Sequence, residues 1–182
     1  MKIYAETPRL ILRELCPDDA PGMFELDSSP EVHRYLGNRP IQTLEEAKKV
    51  IESIRGQYVS KGIGRWAVIE KESNQFAGWS GLKLVEDDFN GFKDFYDVGY
   101  RFIPKFWGKG FATESGKAAL QYGFDVLNLE MIYGMVDQEN QASIRALEKL
   151  GLKRAGEFRH QLHGSEERPL FWYELDVQNF RS

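Results

Sequence analysis

The sequence predicts a mixed α/β domain built on a single sheet. Three observations predict it. Short apolar or alternating stretches of strand length recur along the chain. A capping box opens one long amphipathic helix, and a central strand passes through a glycine-containing loop into a second helix. No repeat or linker interrupts the order, so residues 1–182 read as one domain.

Taken in order, residues 9–15 (Arg-Leu-Ile-Leu-Arg-Glu-Leu) are short and apolar-rich and predict a first strand ending near Pro17. Ser29-Pro30-Glu31 is an N-cap with proline at the first helical position, predicting a short helix to about Leu36. Thr43-Leu44-Glu45-Glu46 is a capping box, in which hydroxyl and carboxylate each satisfy an orphan amide. Behind it Ala47, Val50, Ile51, Ile54 and Tyr58 share one helical face. Stretches 66–70 and 76–84, parted by the turn-prone Glu72-Ser73-Asn74, predict two strands. In the next, 95–103, Tyr96, Val98, Tyr100 and Phe102 alternate with Asp97, Gly99 and Arg101 until Pro104 ends the ladder. A helix then runs from about Gly110 to Leu127, with Gly116, Leu120, Gly123 and Phe124 on one stripe, followed by a strand at 131–136. Asn140 caps a helix whose inner face carries Ser143, Ala146, Leu147 and Leu150, and Gly151 stops it. Two strands, 152–161 and 170–176, close the chain, for about seven in all.

Composition excludes several function classes. Lys and Arg total 24 against 28 Asp and Glu, a net charge of −4, so no broad cationic field invites nucleic acid. Cys16 is the single cysteine, which rules out an internal disulfide and a multi-cysteine metal cage. No apolar run approaches the roughly 18–20 residues that span a bilayer, and the first residues lack a signal-peptide core. A cytoplasmic protein with neither membrane nor nucleic-acid partner is the expectation.

The most informative stretch is 100–114, Tyr-Arg-Phe-Ile-Pro-Lys-Phe-Trp-Gly-Lys-Gly-Phe-Ala-Thr-Glu. A strand ends, a loop with two glycines follows, and a helix begins with unpaired amides and a partial positive charge. That arrangement suits phosphate or pyrophosphate, or it is simply a strand-to-helix turn that uses glycine for shape. The P-loop pattern is absent, and the dinucleotide pattern fails where Thr113 stands in place of its third glycine. A second constellation, Asn140-Gln141-Ala142-Ser143 with Glu148-Lys149-Leu150-Gly151, follows the next strand.

Together with Thr7-Pro8-Arg9-Leu10 near the start and Lys105-Phe106-Trp107-Gly108-Lys109-Gly110 in the loop, these segments resemble the GNAT superfamily of acyl-CoA-dependent N-acyltransferases. Within it they resemble the type that acetylates ribosomal-protein N-termini. The loop departs from the family's [QR]-x-x-G-x-[GA] only in having Lys105 first. The resemblance implies a mostly antiparallel sheet splayed between its fourth and fifth strands and flanked by helices. Pantetheine would lie in the wedge and pair with the backbone of Phe102 and Ile103. The amides of Gly108, Lys109, Gly110, Phe111, Ala112 and Thr113 would hold the pyrophosphate of acetyl-CoA, the co-substrate, and Asn140 would bond it near the thiol end. No metal is implied.

The implied reaction is direct attack of a primary amine, on a protein N-terminus or a small molecule, on the thioester. It needs a deprotonated amine and a donor for the leaving sulfur. Ser143 matches the hydroxyl position near that sulfur; the plainer reading is a helix serine bonded to a backbone carbonyl. Asp97 is the first candidate to accept the amine proton and His160 the second, since Leu162 stands where some relatives carry a glutamate and His160 and His163 flank it. His160-x-x-His163 has no third spaced ligand for a metal, and Glu114 reads as a structural cap. Loop 86–94, rich in carboxylates and aromatics, is expected to border the acceptor cleft and favour a cationic amine. Two other readings stand beside this one: a non-catalytic acyl-CoA sensor on the same scaffold, and a nucleotide-binding enzyme. Strand edges left by the splay leave a homodimer open.

Overall fold

Apolar stretches pair mostly in the order in which they arrive. The structure, a computed structural model, describes residues 1–161 and 166–182. Its elements are β1 (Ile3–Glu6), β2 (Leu10–Arg13), α1 (Ala20–Asp27), α2 (Pro30–His33), α3 (Leu44–Lys61), β3 (Trp66–Glu70), β4 (Gln75–Val85) and β5 (Phe95–Phe102). Then come α4 (Phe111–Asp125), β6 (Met131–Asp137), α5 (Gln141–Lys149), β7 (Lys153–Gln161), β8 (Glu167–Asp176) and α6 (Val177–Arg181). Eight strands form one sheet in the order β1-β2-β3-β4-β5-β6-β8-β7. The first five pair antiparallel with their sequence neighbours. The crossover from β5 to β6 is parallel and passes through α4, as a parallel connection requires.

The sheet is nearly cut in two at that crossover. Strands β4 and β5 stay in register from Gly78↔Phe102 to Val85↔Phe95, and β6 and β8 from Met131↔Asp176 to Asp137↔Leu170. Between β5 and β6 the recorded pairing is Asp97↔Tyr133 alone. Beyond it the two strands diverge toward Phe102 and Asp137, which is the expected splay between the strands at 95–103 and 131–136.

Helix α3 begins as its sequence predicts: Thr43 Oγ1 accepts from the Glu46 amide, and Glu46 Oε2 accepts from Thr43 N at 2.8 Å. Gly62, in the left-handed region, ends it. Helix α4 packs on β4 and β5, while α1 packs on α3 and β4. Their contact faces feed one core that includes Met23, Ile51, Leu82, Val98, Leu120, Phe124, Ile132 and Leu147. Three elements go beyond expectation. Strand β1 raises the strand count from seven to eight, and α1 and α6 are additional helices, while α2 is shorter than expected. Among the described residues, no helix is long and apolar enough to cross a membrane.

Candidate active site

Strand β5 delivers the chain into the glycine loop with its backbone groups already sorted. The amide of Ile103 donates to Ala77 O on β4, and its carbonyl accepts from Phe106 N, each at 2.9 Å. Backbone groups alternate sides along a strand, so those of Phe102 face the wedge. There the Phe102 carbonyl accepts from Trp107 Nε1 at 2.7 Å. Of the two residues expected to line the wedge through their backbone, Phe102 turns its amide there while its carbonyl is taken by Trp107, and both groups of Ile103 are bonded within the fold.

Gly108 and Gly110 adopt φ of 74° and 80°, a region costly for residues with a Cβ. Gly110 is the N-cap of α4 and has no side chain to offer the first-turn amides. The first intrahelical bond there runs from Glu114 N to Gly110 O, which leaves the N–H groups of Phe111, Ala112 and Thr113 at an uncapped, electropositive helix start. Lys109 leans over the Phe106 ring and reaches Glu70 at 3.2 Å.

The N-terminal strands brace this loop. Glu114 Oε1 accepts from Thr7 Oγ1 at 2.6 Å, and Glu114 Oε2 from Arg9 Nε at 2.7 Å. Arg9 also donates to Lys109 O at 2.9 Å and lies 4.8 Å over the Phe111 ring. Glu114, expected as a structural cap, clamps α4 to the turn between β1 and β2. Burial alone would push its carboxyl up; the bonds from Thr7 and Arg9 outweigh that and hold it below the usual carboxylate range. A folded-state pKa below the unfolded one gives stability that is present above about pH 4.3 and lost as pH falls through the folded value. Glu114→Gln is expected to be less stable than the native chain at neutral pH, with the gap narrowing on acidification; thermal unfolding between pH 7 and 3 checks this.

On the same sheet face as Phe102, Tyr100 meets α5. Its hydroxyl donates to Ser143 O at 3.1 Å and accepts from Ser143 Oγ at 3.3 Å. Burial raises the Tyr100 phenol well above its ordinary value, so it stays protonated at neutral pH. Asn140 Oδ1 accepts from Ser143 N at 3.1 Å, capping α5. The Ser143 hydroxyl is therefore turned across the wedge toward β5 and not back onto a helix carbonyl.

Asp97 stands on the opposite face of β5, in alternation with Tyr100. It is 7 % exposed and forms an ion pair with Arg65 Nη2, while Arg65 Nη1 donates to Asp97 O at 2.7 Å and Gly81 O at 2.5 Å. The guanidinium fits because residue 99 is glycine: a Cβ there would lie 2.6 Å from Arg65 Nη2. Burial pushes the Asp97 carboxyl above the usual range, against the pull of Arg65 and Lys83. Asp97 lines a cavity of about 290 Å³ with Gln57 and Lys61 of α3, Phe89 of the β4–β5 loop, and Met135 of β6. A larger hollow of about 460 Å³ near Ile3, Arg13 and Phe76 contains none of the wedge residues. The His160 ring lies 4.1 Å from that of Phe89, tilted against it, beyond the cavity wall, while Leu162 and His163 lie outside the described residues.

Sequence reasoning gave Arg65 and Tyr100 no role. An arginine directly before a buried strand hints at a partner, but nothing local names residue 97, which is 32 positions away. The Tyr100–Ser143 contact, 43 positions apart, is equally silent.

The sequence and the fold both match known proteins. A family model described as an acetyltransferase (GNAT) domain matches residues 9–153. The chain is 32 % identical over 158 residues to the uncharacterized N-acetyltransferase YoaA of Bacillus subtilis, covering 87 % of each. It is 31 % identical over 150 residues to spermidine N(1)-acetyltransferase of Escherichia coli, covering 82 % of this chain and 76 % of that one. The crystal structure of a GNAT-family acetyltransferase from Bacillus anthracis superposes with a TM-score of 0.80 at 27 % identity, covering 98 % of this chain and 99 % of the other. The chain belongs to the GNAT family of acetyltransferases, as an acetyl-CoA-dependent N-acetyltransferase.

Proposed function

We propose that the chain transfers the acetyl group of acetyl-CoA to a primary amine by direct attack on the thioester. The observation that carries this is the two-sided seam at Asp97↔Tyr133, with the glycine loop, Tyr100 and Ser143 on one face and Asp97 with its cavity on the other. In this reading the amides of Gly108, Lys109, Gly110, Phe111, Ala112 and Thr113 hold the pyrophosphate. The backbone amide of Phe102 pairs with the pantetheine arm, and Asn140, which caps α5, bonds the co-substrate near its thiol end.

The amine enters from the Asp97 face. It must lose a proton before or during attack, and Asp97, with its pKa raised by burial, accepts it directly or through water. As the C–N bond forms and the C–S bond breaks, charge gathers on sulfur. The Ser143 hydroxyl, turned away from Tyr100, supplies a hydrogen bond to it, a smaller demand than full proton transfer from an alcohol. The spermidine N(1)-acetyltransferase relative supports an amine acceptor, and a protein N-terminus has the same reacting group.

Calorimetric titration with acetyl-CoA, and with ATP under the same conditions, tests the co-substrate half of this reading. Micromolar binding of acetyl-CoA alone is expected. Binding of ATP instead, or of neither, overturns the roles given to the Gly108–Gly110 loop.

A further inference from the structure

The cavity on the Asp97 face has an electrostatic pattern that narrows the acceptor. Charged groups line it from every side: Lys61 of α3, Arg65, Lys83 of β4, Glu86 and Asp87 of the β4–β5 loop, and Asp97. Most of them are already paired. Lys61 forms an ion pair with Glu86, and Arg65 with Asp97. Lys83 and Asp87 are the two left without an ion pair among the described residues, one cation and one anion.

Lys83 is the more exceptional of the two. It lies directly across from Asp97 in the β4–β5 register, so its side chain projects onto the same face. It is half-buried, and its ammonium is disfavoured first by desolvation and then by the neighbouring Arg65 and Lys61. Asp97 and Asp87 do not fully offset this, and its pKa is lowered. A second unsatisfied group lies in the wall of the same cavity: Gln57 Oε1 is buried and has no hydrogen-bond partner. An acceptor without an anionic group leaves Lys83 as it is. A dication meets Asp87, which is exposed and solvated, but adds a positive charge beside Lys61, Arg65 and the half-buried Lys83. A carboxylate beside Lys83 relieves the repulsion, and an N–H beside Gln57 satisfies its oxygen.

We propose that the acceptor is an amine that also carries a carboxylate, bound with the carboxylate on Lys83 and the amino group at the Gln57 and Asp97 end of the cavity. This rests on the reading that the amine enters from the Asp97 face. An amino acid has this chemistry, and so does a peptide N-terminus with an acidic side chain close behind it. In the transfer the amine nitrogen gains the acetyl group, CoA leaves as the thiol, and the proton lost from nitrogen balances the one that the thiolate takes up. The carboxylate is a handle and does not react.

The test compares amines in pairs that differ by that one group. Thiol release from acetyl-CoA is measured with lysine against cadaverine and with ornithine against putrescine. Peptides beginning Ala-Asp are compared with peptides beginning Ala-Asn, so that the two sources of the same chemistry are told apart. The carboxylate-bearing member is expected to lead by about tenfold or more in kcat/KM in the pairs that turn over. Lys83→Met removes that lead, with the loss falling on KM of the carboxylate-bearing amine, and Lys83→Arg retains most of it. Equal or better turnover of the diamines and the Asn peptides overturns the proposal, as does a lead that survives Lys83→Met. Acetyl-CoA binding without thiol release for any amine overturns the acceptor chemistry proposed above, and this inference with it.

Discussion

Replacing Ser143 with alanine is expected to lower kcat about 10²-fold while changing acetyl-CoA affinity by less than about twofold. The two effects separate because the parts are separate. The pyrophosphate is assigned to amides at the start of α4, and Ser143 is on the first turn of α5, where its hydroxyl meets Tyr100 across the wedge. Removing one oxygen leaves the amides untouched and takes away the donor for the departing sulfur. The variant keeps its helix cap, since Asn140 bonds the backbone amide of residue 143 and not its side chain. Steady-state thiol release and calorimetry on the same preparation read both quantities. A parallel loss of rate and binding marks Ser143 as a packing residue, and an unchanged rate shows that the thiolate leaves unaided.

Arg65→Met has the largest expected effect on stability, a loss of about 3–5 kcal/mol, because it leaves a buried carboxylate without its cation. At about 2–4 °C per kcal/mol for a chain of this size, the midpoint falls by roughly 6–20 °C. Arg65 is 9 % exposed and Asp97 7 %, so water from the cavity replaces the lost partner only in part. Two carbonyls, of Gly81 and Asp97, lose their donor as well. The pH dependence has a definite sign. Burial already holds the folded-state pKa of Asp97 above its unfolded value, and loss of Arg65 raises it further. The penalty for keeping Asp97 charged is therefore present above that pKa and shrinks as pH falls toward it. Arg65→Met should regain part of its deficit on mild acidification, and adding Asp97→Asn should recover part of it at neutral pH. Thermal unfolding of the single and double variants between pH 5 and 8 checks both.

How much was legible follows from the range of each interaction. The capping box at Thr43 and Glu46 and the cap at Asn140 are written within four residues, and the structure has both. Strand β5 and its alternation are equally local. Helix α1 escaped because Pro21-Gly22 reads as a breaker. In the structure Pro21 falls in the first turn, where no amide donor is required. Strand β1 is four residues at the sheet edge with only partly buried side chains, too short for a period to register. The site divides the same way. The glycine loop and the Asn140–Ser143 cap could be read in place. The Arg65–Asp97 pair and the Tyr100–Ser143 contact are products of the tertiary fold, and alternation alone placed Asp97 on the face opposite Tyr100 without showing what would meet it there.

The clamp from Thr7 and Arg9 to Glu114 has a consequence for biosynthesis. It joins residues more than 100 positions apart, so a growing chain must expose α4 before its own beginning can hold the glycine loop in shape. Until then the first strands wait without their partner, and closing so long a loop draws on chain entropy that only the finished sheet repays. The loop to which the pyrophosphate is assigned is thus braced only once residue 114 has been made, and a change at Thr7 or Arg9 acts on a loop that lies a hundred residues downstream.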